Sequence, residues 1–504
     1  STGNLDRNYK GHRLYSQQDW LRELYVDTTL ADWQFRLGKQ QVVWGTADGI
    51  KLLDIINPTD YREFNQNTFE DSRIPVWMLK AEKNLTDRSS LQFIVSQHEE
   101  NKIPGMDAQD NHGEAFIMKG VDTITGPVNG FLNIAGPLGQ TATAFQTLGN
   151  AFLGPTSLEA VGGAHFTVND FITQPTPFCN PGIGCTPGPE AQSAQLLYGI
   201  ANTTQLNQLP APGFNMLPDA AAGGGNQFVT NLVDPTYNKN SPSSAFEYMP
   251  DASFATFDTF SGTTTRYRRD YPSDSKANLG FRWKNTTAGG FSYSLNYFNA
   301  YDSNPNVTIA WRNAQGQKLT PYLTPAPNAF TGDTTYTVRL ANPDGSTFVS
   351  APGNRPVLEF TERVNRVNNF GAAFDMAIDR FDVPVVVRGE FLYQSNVKVP
   401  MVDRGQLAVG NLTEALTMDD VDMFKYVLGV DVTVLTNMMV SGQLIQFINL
   451  DYESKDSVIP GYRRYTADPT VMSMSNGMQK GDAVKNFYSL FFSKPFGDSQ
   501  EHRW

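Results

Sequence analysis

Apolar and polar residues alternate with a period of two along much of this chain. Between Asn278 and Lys284, Leu279, Phe281 and Trp283 share one parity, while Gly280, Arg282 and Lys284 share the other. After the turn-forming "NTTAGG", Phe291, Tyr293, Leu295 and Tyr297 alternate with Ser292, Ser294 and Asn296. Successive side chains on a strand point to opposite faces, so this stretch predicts a hairpin with one aromatic face and one polar face. The same alternation marks Trp33, Phe35 and Leu37; Leu91, Phe93 and Val95; Val307, Ile309 and Trp311; and Tyr336, Val338 and Leu340. It is longest at Phe370, Ala372, Phe374, Met376 and Ile378, and most regular from Phe424 to Val434. Further candidates lie near 20–29, 76–83, 357–365, 384–394, 438–448 and 484–493.

Either a protein core or lipid can cover such an apolar face, and strand length bears on the choice. Ten residues at roughly 3.3 Å each, tilted about 45°, span on the order of 23 Å, close to the apolar band of about 25 Å on an outer-membrane barrel. Strands of soluble sandwiches typically run about five or six residues. The polar parity also carries Arg36, Arg282, Lys284, Asp375, Asp379, Arg388, Glu390, Lys425 and Asp431, which a single water-filled lumen would collect. Tight connections such as "NLTDRS" and "IDRFDVP" contrast with long ones, as they do at the two rims of a barrel. The expectation is an all-β, transmembrane antiparallel barrel of about 14–18 strands in a lipid bilayer. A large soluble all-β protein burying its aromatic face is the alternative.

The strands gather at 1–100 and at 266–504, leaving a long, partly helical insertion over 101–265. Between Pro127 and Phe166 its only charged residue is Glu159, and Phe131, Leu132, Ile134, Phe145, Leu148 and Phe152 recur at near-helical spacing between glycines and prolines. A lid, plug or extracellular subdomain that meets apolar solute fits this composition, and so does a loop subdomain packed on itself. A second irregular segment, 45–65, follows the first hairpin. There Trp44 and Gly45 end a strand, "DGIKLLDIINP" reads as a short amphipathic turn or helix, and Thr59 or Asp60 caps another turn.

Composition agrees with this division of labour. Of the 504 residues 40% are hydrophobic and only 18% charged, with 33 Phe and 20 Tyr. No run of 18 apolar residues offers a transmembrane helix, a test to which barrels are blind. A net charge of −12 offers no basic field for nucleic acid. The two cysteines, Cys179 and Cys185 in "FCNPGIGCTPGP", can close a small disulfide ring, implying an oxidising compartment; two free thiols are the alternative. The absence of a leading Met suggests processing or trimming; Trp504 offers the terminal aromatic of a closing strand, but "GDSQEHR" before it reads as a turn, so further strands are expected at either end.

Signals for enzymatic chemistry are weak. The histidines at 12, 98, 112, 165 and 502 have no zinc spacing, "HEENK" lacks the second histidine of HExxH, and no G-x-S-x-G elbow occurs. "DAQDNHGE" brings Asp107, Asp110 and Glu114 together as a structural calcium loop might, but it departs from an EF-hand and also reads as a solvated acidic loop. No other cofactor is expected, and no enzyme.

"GKQQVVWGTADGIKLLDIINPTDYREF", "RIPVWMLKAEKNL" and "YRRDYPSDSKANLGFRWKNTTAGGFSYSLNYFNAYDSNP" resemble a proteobacterial outer-membrane family catalogued as a domain of unknown function. Genes of that family often neighbour RND-type exporters and a periplasmic LolA/LolB-like protein. The resemblance implies a barrel in the bacterial outer membrane that handles hydrophobic small molecules or lipids, with the periplasmic protein or exporter as partner. It carries over no catalytic residues. The leading expectation is therefore a porin-like channel or conduit for apolar solute. A structural or adhesive surface barrel, whose insertion binds another protein, is the competing one.

Overall fold

The computed structural model describes residues 21–47, 50–62, 69–102, 167, 249, 251–260, 262–273, 276–328, 332–378, 383–435, 437–468, 479–496 and 502–503. In chain order the strands are β1 (Leu24–Leu30), β2 (Trp33–Gln40), β3 (Val76–Thr86), β4 (Ser89–Ser96), β5 (Thr264–Asp270), β6 (Asn278–Thr286) and β7 (Ser292–Tyr301). Next come β8 (Asn306–Arg312), β9 (Lys318–Pro327), β10 (Thr334–Ala341), β11 (Val357–Arg363), β12 (Arg366–Ile378), β13 (Val385–Asp403) and β14 (Leu416–Val434). The last are β15 (Met438–Asn449), β16 (Ser454–Asp456), β17 (Arg463–Thr466), β18 (Val484–Ser493), β19 (Pro495–Phe496) and β20 (His502–Arg503). Among the described residues four short helices join them: α1 (Phe69–Ser72), α2 (Phe254–Phe260), α3 (Arg404–Ala408) and α4 (Leu412–Ala415).

The main sheet has 13 strands, of which β16 and β17 lie to one side. The others run β1-β2-β3-β4-β6-β7-β12-β13-β14-β15-β18, every neighbour antiparallel. Among the described residues no pairing joins β1 to β18. The fold is thus all-β and antiparallel, with few helices.

Connections alternate in length along this order. At one end the hairpins are tight: Ala31 and Asp32 join β1 to β2, with φ of 47° and 64°, both in the left-handed region that a two-residue turn of the right twist requires. Asp87 and Arg88 join β3 to β4, and residues 287–291 join β6 to β7. At the opposite end every connection is long: 41–75, 97–277, 302–365, 404–415 and 450–483. A glycine locks the first hairpin, because Gly38 takes φ 145° and a Cβ there would lie 2.2 Å from the Leu24 carbonyl oxygen.

Register turns the alternation into two continuous faces. Phe35, Ala81, Phe93, Phe281, Tyr297, Phe370, Tyr393 and Phe424 stand in one cross-strand row. Ring centroids in that row lie 5.2 Å apart for Phe93–Phe281 and 4.9 Å for Tyr297–Phe370, within the range of favourable aromatic pairs. Side chains on this face are exposed or half-buried from β1 to β18. Leu37 is 63%, Leu279 52%, Phe370 51% and Leu490 76% accessible.

Three of the stretches expected to be barrel strands lie outside the main sheet. β8, β10 and β11 join β5 and β9 in a separate five-stranded sheet, ordered β10-β9-β8-β11-β5, with β11 and β5 parallel. Its apolar parity is buried: Val307, Trp311, Val338, Leu340 and Phe360 pack inward with Phe257 and Phe260 of α2, and Trp311 stacks on Phe260 at 5.2 Å. Period two reports only that a strand has two unlike faces. What covers the apolar one depends on the neighbours.

Candidate functional site

The polar face of the main sheet is covered by the chain's own 41–60 segment. That stretch was expected to extend the strand to Trp44 and then form a turn or helix, but β2 ends at Gln40 and no helix forms among the described residues 50–62. Leu52 and Leu53 are both buried. They pack with Ala373, Leu392, Val427 and Ile445 from β12 to β15, so the segment follows the sheet surface and not a helical stripe. Side chains take over the main-chain bonding that a helix would have supplied. Asn57 accepts from Val42 N–H at 2.8 Å and donates to the carbonyls of Gln40 at 3.2 Å and Ile74 at 2.9 Å, tying both ends of the segment together. Trp44 sits edge-on to Phe298 at 5.9 Å, and its indole N–H donates to Gln92 Oε1 at 2.7 Å.

Glu390 is the centre of this arrangement. Its carboxylate, 1% exposed, accepts main-chain N–H bonds from Thr46, from Ala47 at 2.7 Å and from Leu53 at 3.1 Å. Glycine at 45 suits the approach, since a Cβ there would lie 3.2 Å from Glu390 Oε1. Beside it Arg388 pairs with Asp431 and donates to the Thr46 carbonyl at 3.2 Å. Asp54 holds Arg73 at 2.6 Å, fixing the far end of the segment against the start of β3. Lys51 donates to Ser72 Oγ at 2.7 Å, and burial lowers its pKa to about 8 against the opposing pull of Asp54.

The structure places eight of the nine predicted polar-face residues on this one face. Register aligns Arg282 with Gln92 and Asn296, Lys284 with Ser294, Asp375 with Arg388, and Glu390 with Val427. Their roles diverge. Arg36 pairs with Asp27 at 2.7 Å and stacks over Tyr25 at 3.9 Å. Arg282 donates to the Val43 carbonyl at 3.2 Å, another clasp on the segment. Lys425 lies 5.5 Å from the Phe447 ring, and Lys284 is exposed. The ninth, Asp379, lies outside the described residues. So do Phe131, Leu132, Ile134, Phe145, Leu148 and Phe152, the cysteines Cys179 and Cys185, and Asp107, Asp110 and Glu114.

The long connections meet at two further places. A cleft of about 450 Å³ is lined by Asp251 and Thr167, by Asn328 and Tyr336 of the small sheet's edge, and by Val409 and Tyr462. The Tyr462 hydroxyl donates to Asp251 Oδ2 at 2.5 Å, and burial together with that carboxylate raises the phenol's pKa. At the other edge of the small sheet, Arg269 of β5 bridges Glu100 and Glu362, each at 3.3 Å, and lies over Tyr271 at 4.2 Å. This cluster ties the five-stranded sheet to the end of β4. Reading the sequence missed Asn57, Gln92 and the Asp54–Arg73 pair, which become partners only through folding. A trace of Glu390's role was visible, because it is the sole carboxylate on the polar parity of β13 between 386 and 394.

No curated protein and no solved structure matches the chain. Its sequence does match the family described as "Protein of unknown function (DUF1302)", from residue 2 to residue 485. With that match running over nearly all of its length, the chain belongs to the DUF1302 family.

Proposed function

We propose that this protein is an outer-membrane barrel whose lumen is occupied by its own 41–60 segment, and that it works as a gated conduit for apolar small molecules or lipids. One observation carries the reading: the aromatic face is exposed or half-buried on strands from β1 to β18, while the polar face is the one the chain covers. In water that arrangement is inverted. Exposed apolar patches on soluble monomers are typically about 300–600 Å² and a bare face spanning the sheet calls for hydrocarbon around it. Tight hairpins at one end and long connections at the other support the same orientation. The segment clasped by Glu390 and Arg282 is the natural gate, since its release would open the lumen and bare the apolar strip of Ala373, Leu392, Val427 and Ile445 beside the polar side chains. Apolar solute enters the proposal through the nearly uncharged 127–166 stretch, and a periplasmic lipid carrier or exporter would hand it on.

Single-tryptophan variants of the full chain, refolded into vesicles with brominated acyl chains, test the embedding. Trp77, half exposed on the apolar parity, should be quenched, and Trp44 and Trp311, both buried, should not. An unquenched Trp77 would remove the membrane from the proposal. Planar-bilayer recordings test the gate: the unaltered chain should conduct weakly and a chain with the segment released should conduct steadily. Equal conductance in both would leave no role for a gate.

A further inference from the structure

We infer that the pocket where β2 and β3 leave the apolar face binds the phosphate of an anionic phospholipid headgroup. The inference rests on the membrane reading above. The pocket, about 250 Å³, is lined by Lys39, Arg62, Lys102, Glu99, Gln97 and Trp77. Three cations thus face one carboxylate in a chain whose net charge is −12. Arg62 is held by Asp60 through Nε at 2.9 Å and Nη2 at 2.5 Å, and Lys102 by Glu99 at 3.0 Å and Glu100 at 3.5 Å. Lys39 differs. Its ammonium donates to the Leu21 carbonyl at 2.7 Å and has no carboxylate partner among the described residues. Its remaining donors are available to an anion.

Position selects the kind of anion. Lys39 stands opposite Trp77 and Leu24 in register, on the apolar parity and at the long-connection end of the strands. Trp77 is 50% exposed there, and an indole beside a cation is the pairing found where hydrocarbon gives way to headgroups. Below the pocket on the same face lie Leu37, Leu79 and Val26, all exposed. A phospholipid satisfies both features at once: its phosphate meets Lys39, Arg62 and Lys102, and its acyl chains follow the exposed strip. Free phosphate would use the pocket and leave the strip bare.

The test is lipid retention by native mass spectrometry. The full chain would be released from nanodiscs of equimolar phosphatidylglycerol and phosphatidylcholine, with K39Q and K39E variants alongside. Preferential retention of phosphatidylglycerol is expected, weakened about fivefold by K39Q, the worth of one lysine charge at an anionic surface, and further by K39E. Lys39 has no ion pair to break, so both variants should fold with unaltered Trp77 emission. If brominated phosphatidylcholine quenches Trp77 but retention shows no preference, or K39E leaves it unchanged, the pocket assignment fails and the membrane reading stands. If Trp77 is unquenched, both fail. Displacement of the lipid by an equal concentration of inorganic phosphate would overturn the lipid assignment in favour of a free-phosphate site.

Discussion

Replacing Glu390 by alanine removes the acceptor that three main-chain N–H groups of the 41–60 segment share. Leu53 is fully buried, so its N–H would lose its partner without access to water, at about 1–3 kcal/mol. Thr46 and Ala47 lie nearer solvent, and each would lose the net worth of a bond, about 0.5–1.5 kcal/mol. Together that is about 2–6 kcal/mol against the docked segment, a shift of roughly 30-fold to 10⁴-fold in favour of release. The sheet keeps its own ladders, so release of the segment precedes unfolding of the strands. Trypsin reports this directly, because Lys51 is half-buried and tethered to Ser72 in the docked state. E390A should be cut after Lys51 far faster than the unaltered chain, and bilayer conductance should rise in parallel. E390Q retains Oε1 for Thr46 and Ala47 but turns an NH2 toward Leu53 N–H, so its cleavage should be intermediate. Protection of Lys51 in E390A equal to that in the parent would refute the clasp, and with it the physical basis of the gate.

Other perturbations probe separate contacts. R388M strands Asp431, 8% exposed, without its ion-pair partner; a loss of about 3–5 kcal/mol is expected by thermal melting. The double variant R388M/D431L should recover most of it, and failure to do so would mean the cost lies in the Thr46 contact. G38A places a Cβ 2.2 Å from the Leu24 carbonyl oxygen, so amide exchange should quicken throughout β1 while β13 and β14 stay protected. Lys51 has a folded-state pKa near 8 against 10.5 for the ordinary group, so between those values the unfolded chain holds the extra proton. Stability should therefore rise with pH through that window and stay flat with respect to Lys51 below it. Melting temperatures across this range should lose that rise in K51M.

Much of the main sheet could be read from residue order. Alternation found β2, β4, β6, β7, β12 and β14, and the weaker stretches became β1, β3, β13, β15 and β18. The shared polar parity also held, because register between antiparallel neighbours preserves side-chain facing: Arg282 opposite Asn296 follows from a hairpin that closes without a slip. Reasoning from pattern failed at β8, β10 and β11. Trp311 and Phe370 look alike along the chain, yet one is 1% and the other 51% exposed. It failed again at 50–58, where an apparently amphipathic stretch forms no helix among the described residues: Leu53 N–H donates to Glu390, and Leu52 and Leu53 pack on the sheet.

By itself, the amino-acid order determined which residues share a face, because strand geometry makes that a local property with period two. It also determined where the tight hairpins fall, since "NTTAGG" and its counterparts carry their own turn chemistry. Only the tertiary structure decided which apolar faces are buried and which polar face is covered. Glu390 lies more than 330 residues from the amides it holds, as the 337-residue separation from Leu53 shows. No local pattern records a contact of that range, because burial and hydrogen-bond satisfaction depend on what the rest of the chain brings alongside.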